Sequence, residues 1–309
     1  MTNIIEVKNI TKKFGSFLAV KNLSFSLNKG EILGFLGPNG AGKTTTMRII
    51  TGFLSPNDGS IKINGKDLTD DPISCRRLIG YVPEGSPLYN EMSVIDFLRF
   101  ICEIRDLGNE NIEKETSRVI KLLKLENVLF QKIETLSKGY KRRVGLAQAI
   151  IHNPQILILD EPTDGLDPNQ KNDVRNLIKE LGKDKAIIIS THILEEINAL
   201  CNRTMIISKG KLLVDDQPSN ILKMSKTYNS LKISIEEKKN NEFKKLLISN
   251  KIAKNIDINN DLCVIKTSNY KQLKNDLNKL IKNQSLTIKH LSVSEGSLEE
   301  VFREMTSNE

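Results

Sequence analysis

The chain has 309 residues, 39% of them hydrophobic and 27% charged, which suffices for one large domain and a smaller one with buried cores. Its apolar runs, such as 156–159 and 186–189, fall far short of the roughly 20 residues that span a bilayer and exclude a transmembrane helix. The net charge is +8, but lysines interleave with acids such as Asp276 and Glu299, which predicts a solvated surface and no specific nucleic-acid partner.

Residues 1–7 lead directly into a strand, without the basic, apolar and small-residue pattern of an export signal, so a cytosolic protein is expected. Cys75, Cys102, Cys201 and Cys263 have no metal-ligand or disulfide spacing and read as reduced thiols. From Ile4 to about Asp215, short β-rich runs, turns and helical stretches alternate, the pattern of an α/β domain. Segments 32–36, 156–159 and 187–190 are apolar on both faces, predicting central parallel strands with helices on both sides of the sheet. Helical spacing takes over after Ser86, with apolar residues at Val94, Phe97, Leu98 and Ile101 and at Ile112, Val119, Ile120 and Leu123. An all-helical subdomain over about 86–152 follows from that spacing.

After Asp215 the composition shifts to Lys, Asn and Ile, and Gln217-Pro218-Ser219-Asn220 marks a boundary between domains over 1–216 and 217–309. The second domain reads as strand 231–235, helix 241–249, a strand near Ile256, strand 262–267, helix 270–281 and strand 287–291. That order is the split βαβ, ferredoxin-like arrangement of a small α+β domain.

Directly after segment 32–36 comes Gly37-Pro38-Asn39-Gly40-Ala41-Gly42-Lys43-Thr44-Thr45, followed by a helical stretch. This is the strand, loop, helix context that the G-x-x-x-x-G-K-[ST] motif requires. Glycines let successive backbone N–H groups converge on one anion, and the helix adds the positive end of its dipole. Lys43 is then expected at the β and γ phosphates, with the Thr44 hydroxyl on Mg2+. The strand 156–159 ends in Asp160-Glu161-Pro162, and side chains alternate faces along a strand. Asp160 is therefore expected in the Mg2+ shell, and Glu161, one position further out, as the base that orients and deprotonates a water.

With these motifs, 4–215 resembles the ATP-binding cassette (ABC) family, whose fold is a P-loop NTPase with a helical subdomain. Leu136-Ser137-Lys138-Gly139-Tyr140 is similar to the family signature Leu-Ser-Gly-Gly-Gln. The resemblance implies that Ser137 and the Gly139 N–H donate to ATP bound by a second copy, so that two copies close head to tail around it. Gly165-Leu166-Asp167-Pro168 resembles the loop through which the two subunits sense each other, with Asp167 as its acid. Ser190-Thr191-His192 resembles the switch that puts His192 on the γ-phosphate and holds Glu161 and the water in register. Phe14 stands where the family carries an aromatic that stacks on adenine, while His152 and His290 read as structural.

Two departures stand out. Glu84 replaces the glutamine that contacts the metal shell, and Lys138 and Tyr140 replace Gly and Gln in the signature. Segments 80–84, 136–140 and 166–170 are together similar to the gliding-motility-associated ATP-binding subunits, a subgroup of bacterial exporters whose ATPase and membrane parts are separate chains. Residues 296–302 resemble the tail of that exporter class. The resemblance implies an ATPase using ATP and Mg2+ at the cytoplasmic face of a bacterial inner membrane, paired with a second copy and an integral membrane permease. A soluble ABC ATPase acting on nucleic acid or ribosomes is the competing reading. One cassette without sustained heptads speaks against it.

Overall fold

The computed structural model describes residues 3–85, 87–235, 240–253, 256–259, 262–267, 270–284 and 286–307; Ser86, where the helical subdomain was expected to begin, lies outside them. The chain divides into two compact units, Met1–Asp216 and Gln217–Glu309.

In the first unit, β1 (Asn3–Phe14) and β2 (Phe17–Asn28) form an antiparallel hairpin, and β3 (Ile32–Leu36) leads to α1 (Lys43–Ile50). Then come β4 (Asp58–Ile63), β5 (Lys66–Asp67), α2 (Pro72–Arg77) and β6 (Ile79–Val82). Three helices follow, α3 (Val94–Ile104), α4 (Asn109–Leu123) and α5 (Lys138–Ile150). The unit ends with β7 (Ile156–Asp160), α6 (Pro168–Leu181), β8 (Ala186–Thr191), α7 (Leu194–Leu200), β9 (Arg203–Ser208) and β10 (Lys211–Asp216).

Six strands in the order β10-β9-β3-β8-β7-β6 make the central sheet, parallel except where β10 pairs antiparallel with β9. Strand alternation sorts its residues between two cores. Leu157, Leu159, Ile187 and Ile189 pack with α3 to α7, whereas Ile156, Ile158, Ala186 and Ile188 pack on the opposite face. Helices lie on both sides as expected, but the opposite face carries a further layer not expected from the sequence. That face is covered by α1 and α2 together with a second, antiparallel sheet in the order β2-β1-β4-β5. The reason is the period-two burial of Ile5, Val7, Leu23, Phe25 and Leu27, which gives the β1–β2 hairpin one apolar face to lay on the core.

Ser93 starts α3 by accepting from the Asp96 N–H at 3.2 Å, and Val94, Phe97, Leu98 and Cys102 form its buried stripe. Thr116, Val119, Ile120 and Leu123 do the same for α4. Helix α5 lies so close to β6 that a Cβ on Gly80 would stand 2.0 Å from the Ala149 carbonyl oxygen. Only glycine permits that approach.

The second unit runs α8 (Pro218–Leu222), β11 (Ser230–Ile235), α9 (Asn240–Ser249), β12 (Ile256–Asn259), β13 (Leu262–Lys266), α10 (Tyr270–Asn283), β14 (Ile288–Ser294) and α11 (Leu298–Ser307). Its strands pair antiparallel in the order β12-β13-β11-β14, the split βαβ connectivity. Leu231, Ile233, Cys263 and Ile265 pack with Phe243, Leu247, Leu273 and Leu277. Glu300 of α11 accepts from the Ser225 hydroxyl and, at 2.8 Å, from that of Thr227.

Candidate active site

The loop between β3 and α1 opens onto a cleft of about 490 Å³ lined by Asn39, Gly40, Ala41, Gly42, Lys43, Thr44 and Thr45. Gly40 and Gly42 have φ of +79° and +102°. Helix α1 has neither a side-chain cap nor an acidic residue in its first turn, so its N-terminal N–H groups face the cleft as a ready anion site. Lys43 is 7% exposed and donates to the Gly37 carbonyl at 2.7 Å and the Pro38 carbonyl at 3.2 Å. Gly37 and Pro38 thus hold the lysine from behind. Burial pushes the Lys43 ammonium below its ordinary 10.5, while Glu161, Asp160 and Glu84 pull the other way.

Asp160 is fully buried at the end of β7, where Oδ1 accepts from the Ser190 hydroxyl and Oδ2 has no hydrogen-bond partner among the described residues. A buried carboxylate oxygen left unpaired is costly, and a divalent cation satisfies it. The Thr44 hydroxyl and the exposed carboxylate of Glu84 line the cleft, while Asp160 lies buried outside its lining; the unpaired Asp160 oxygen and these hard oxygen donors are of the chemistry that Mg2+ takes.

Glu161 is 8% exposed and adopts φ +49°, a left-handed backbone that costs an L residue roughly 1 to 2 kcal/mol. Its N–H donates to Ser190 at 3.1 Å (carbonyl) and 3.2 Å (hydroxyl). Its Oε2 lies 3.0 Å from His192 Nδ1, and its Oε1 lies 4.0 Å from Lys43 Nζ. A carboxylate only accepts, so His192 donates from Nδ1. Glu161, His192, Lys43, Thr44 and Glu84 all line one cleft, although they come from four separate stretches of sequence.

The remaining candidates stand apart from that cleft. Ser137 caps α5, its hydroxyl accepting from the Tyr140 N–H at 3.4 Å, and Gly139 lies under the Gln170 side chain. Asp167 caps α6, accepting from the Gln170 N–H at 2.9 Å. Neither Ser137, Gly139 nor Asp167 lines the cleft. Phe17 lines the cleft, and Phe14, the aromatic expected from the sequence, does not. The Ala19 carbonyl of β2 touches the cradle at Gly42, whereas β1 lies behind β2, so Phe14 sits one strand farther out as the cross-strand neighbour of Phe17. Asp164 and Ala19 also line the cleft without having been singled out. Asp164 follows Glu161 by one turn, its N–H donating to the Glu161 carbonyl at 3.2 Å, a placement that the Asp-Glu-Pro run foreshadows.

The family model described as ABC transporter matches residues 20–164. An uncharacterized ABC transporter ATP-binding protein of Methanocaldococcus jannaschii is 42% identical over 208 residues, covering 67% of this chain and 75% of its own length. The bacitracin transport ATP-binding protein of Bacillus licheniformis is 32% identical over 304 residues, 98% of this chain and 97% of its own. Among solved structures, a dimeric ATP-binding cassette in a post-hydrolysis state, bound to ADP and Pi, matches with a TM-score of 0.64 at 26% identity. The match covers 69% of this chain and 98% of that one.

Proposed function

The chain belongs to the ABC transporter family, and on that premise we propose that it is the ATP-hydrolysing subunit of an export system, paired with a second copy and acting on a separate membrane permease. ATP hydrolysis coupled to transport is the activity of this family. The Glu161–His192 pair, 3.0 Å apart in the cleft that holds Lys43, carries the assignment of hydrolysis to particular residues. A phosphate cradle serves binding; a carboxylate set beside it serves the deprotonation of water.

In this reading the backbone N–H groups of the loop bind the triphosphate, and Lys43 leaves the Gly37 and Pro38 carbonyls for the β and γ phosphates. Thr44, Asp160 and Glu84 would hold Mg2+, which supplies charge neutralisation on the phosphates when bound. Glu161 orients the water and takes its proton, and His192, which donates from Nδ1 to Glu161, reaches the γ-phosphate with a second donor, Nε2–H, as the imidazolium. Phe17, with Phe14 behind it, offers the adenine an aromatic face. Ser137 and Gly139 at the start of α5 act on the nucleotide of the second copy, with Asp167 beside that junction.

The permease reading is supported by a groove of about 1020 Å³ in the first unit. Its lining joins Arg48, Arg76, Arg77 and Arg105 to the outward-facing Phe53 and Ile104, 79% and 61% exposed. An apolar segment carrying acidic residues suits such a surface. Among the described residues no helix is long and apolar enough to cross a membrane. Export is taken from relatives named Nod factor export ATP-binding protein. The finer assignment to gliding motility rests on segments 80–84, 136–140 and 166–170 alone, and loss of gliding on deletion of the gene would support it.

The test is Glu161→Gln. We expect ATP to bind and hold two copies together while turnover falls about 100- to 10,000-fold. Unchanged phosphate release would sink the base assignment. Isolation in mild detergent should bring a membrane protein along; ribosomes or DNA in its place would favour the soluble alternative.

A further inference from the structure

Arg142 lies in the second turn of α5, five residues after Ser137, and is 6% exposed. Its Nη2 donates a 2.7 Å hydrogen bond to the backbone carbonyl of Glu161. The carboxylates of Asp164, Asp160, Glu161 and Glu84 all stand near enough to act on its charge. The group it holds is the one left-handed residue at the end of β7, with φ +49° at Glu161. On the other side, the Glu161 N–H is taken by the Ser190 carbonyl of β8 at 3.1 Å. The Glu161 carbonyl also accepts from the Asp164 N–H of its own turn at 3.2 Å, so one flanking peptide plane is held by β8 and the other by Arg142 of α5 together with that turn. Their orientation sets where the carboxylate points, and so its 3.0 Å contact with His192.

We infer that Arg142 is a positioning residue for hydrolysis, tying the aim of Glu161 to the helix that begins with Ser137 and Gly139. The inference rests on the proposed base role of Glu161. A displacement of α5 as its N-terminal end seats on a neighbour's nucleotide then reaches the base through one peptide carbonyl, with no need for the sheet to move. Lysine at this position keeps a charge but not the planar fork that meets the carbonyl while lying among the carboxylates.

Steady-state ATP hydrolysis by the full chain tests it, with Arg142→Met, Glu161→Gln and the double variant. Arg142→Met should lower kcat on the order of 10- to 100-fold, a part of what a positioned base contributes. The KM for ATP should change by less than about threefold, because the interaction matters after binding. In the double variant the residual rate should be no lower than in Glu161→Gln, since Arg142 acts through that carboxylate. A merely structural role would instead slow both backgrounds alike. That outcome, or an unchanged kcat in Arg142→Met while Glu161→Gln is inactive, overturns the inference alone. Full turnover in Glu161→Gln overturns the base assignment and this inference with it. If Arg142→Met does not fold, Arg142→Lys carries the test: a lowered kcat at steady KM supports the role, and an unchanged kcat refutes it.

Discussion

Gly42 precedes α1 with φ +102°, and a Cβ built there would lie 2.4 Å from the Ala19 carbonyl oxygen, where ordinary contact begins near 3.4 Å. Gly42→Ala therefore meets two independent penalties. Holding an alanine at that φ costs about 1 to 3 kcal/mol, and overpacking against an atom that cannot rotate away costs about 1 to 3 kcal/mol more. The obstructing atom is backbone in a paired strand, so no side-chain movement relieves it. Restricting the unfolded chain returns about 0.4 to 1 kcal/mol, leaving a net loss of about 1 to 5.6 kcal/mol. Gly40→Ala is the control: φ is +79°, but nothing lies within 4 Å of its Cβ, so only the backbone penalty applies. Its net cost should be about 0 to 2.6 kcal/mol, lower than that of Gly42→Ala by the overpacking contribution. Hydrogen exchange of the slowest α1 and β3 amides in ligand-free protein reads the opening free energy of this unit. Equal stability of the two variants, within about 0.5 kcal/mol, would refute the claim that β2 braces the cradle.

Phe17→Ala should weaken ATP binding more than Phe14→Ala, by up to the 1 to 3 kcal/mol that base–aromatic stacking is worth in order of magnitude; titration with a fluorescent ATP analogue decides it, and a larger effect at Phe14 would restore the sequence-based choice. His152 supplies a pH dependence: burial, with the Arg105 charge next, pushes it from 6.5 down to about 4, against the hydrogen bond between its Nε2 and the Ile79 carbonyl. Since the folded value is depressed, the unfolded chain binds the proton first, and stability present above 6.5 is lost as pH falls toward 4. Between pH 7.5 and pH 5 the wild type should lose about 1 to 2 kcal/mol more than His152→Gln, the partial exposure of the ring setting the lower figure. Parallel urea midpoints for the two proteins at both pH values would contradict this.

The chemistry of the site was legible because it is written in local runs. Residues 37–45 are a strand-to-helix loop whose glycines and lysine suffice to predict a cradle, and Asp160-Glu161 closes an apolar run that only a buried strand explains. The helices α3 and α4 were readable from 3.6-residue spacing, as were most elements of the second unit from short apolar runs and their turns. What the sequence could not settle depends on contacts between distant segments. The antiparallel sheet over one face of the core has no local mark distinguishing it from a helical cover, because its alternating strands state only that one face is apolar. That Phe17 lines the cleft and Phe14 does not follows from strand order, which puts β2 and not β1 against Gly42. Likewise the left-handed turn at Glu161, its clamp between Ser190 and Arg142, and its pairing with His192 join residues up to 31 positions apart. Residue type determined which groups could do chemistry here. Only packing decided which of them meet, because hydrogen-bond geometry across strands and helices is set by the whole core and not by neighbours in the chain.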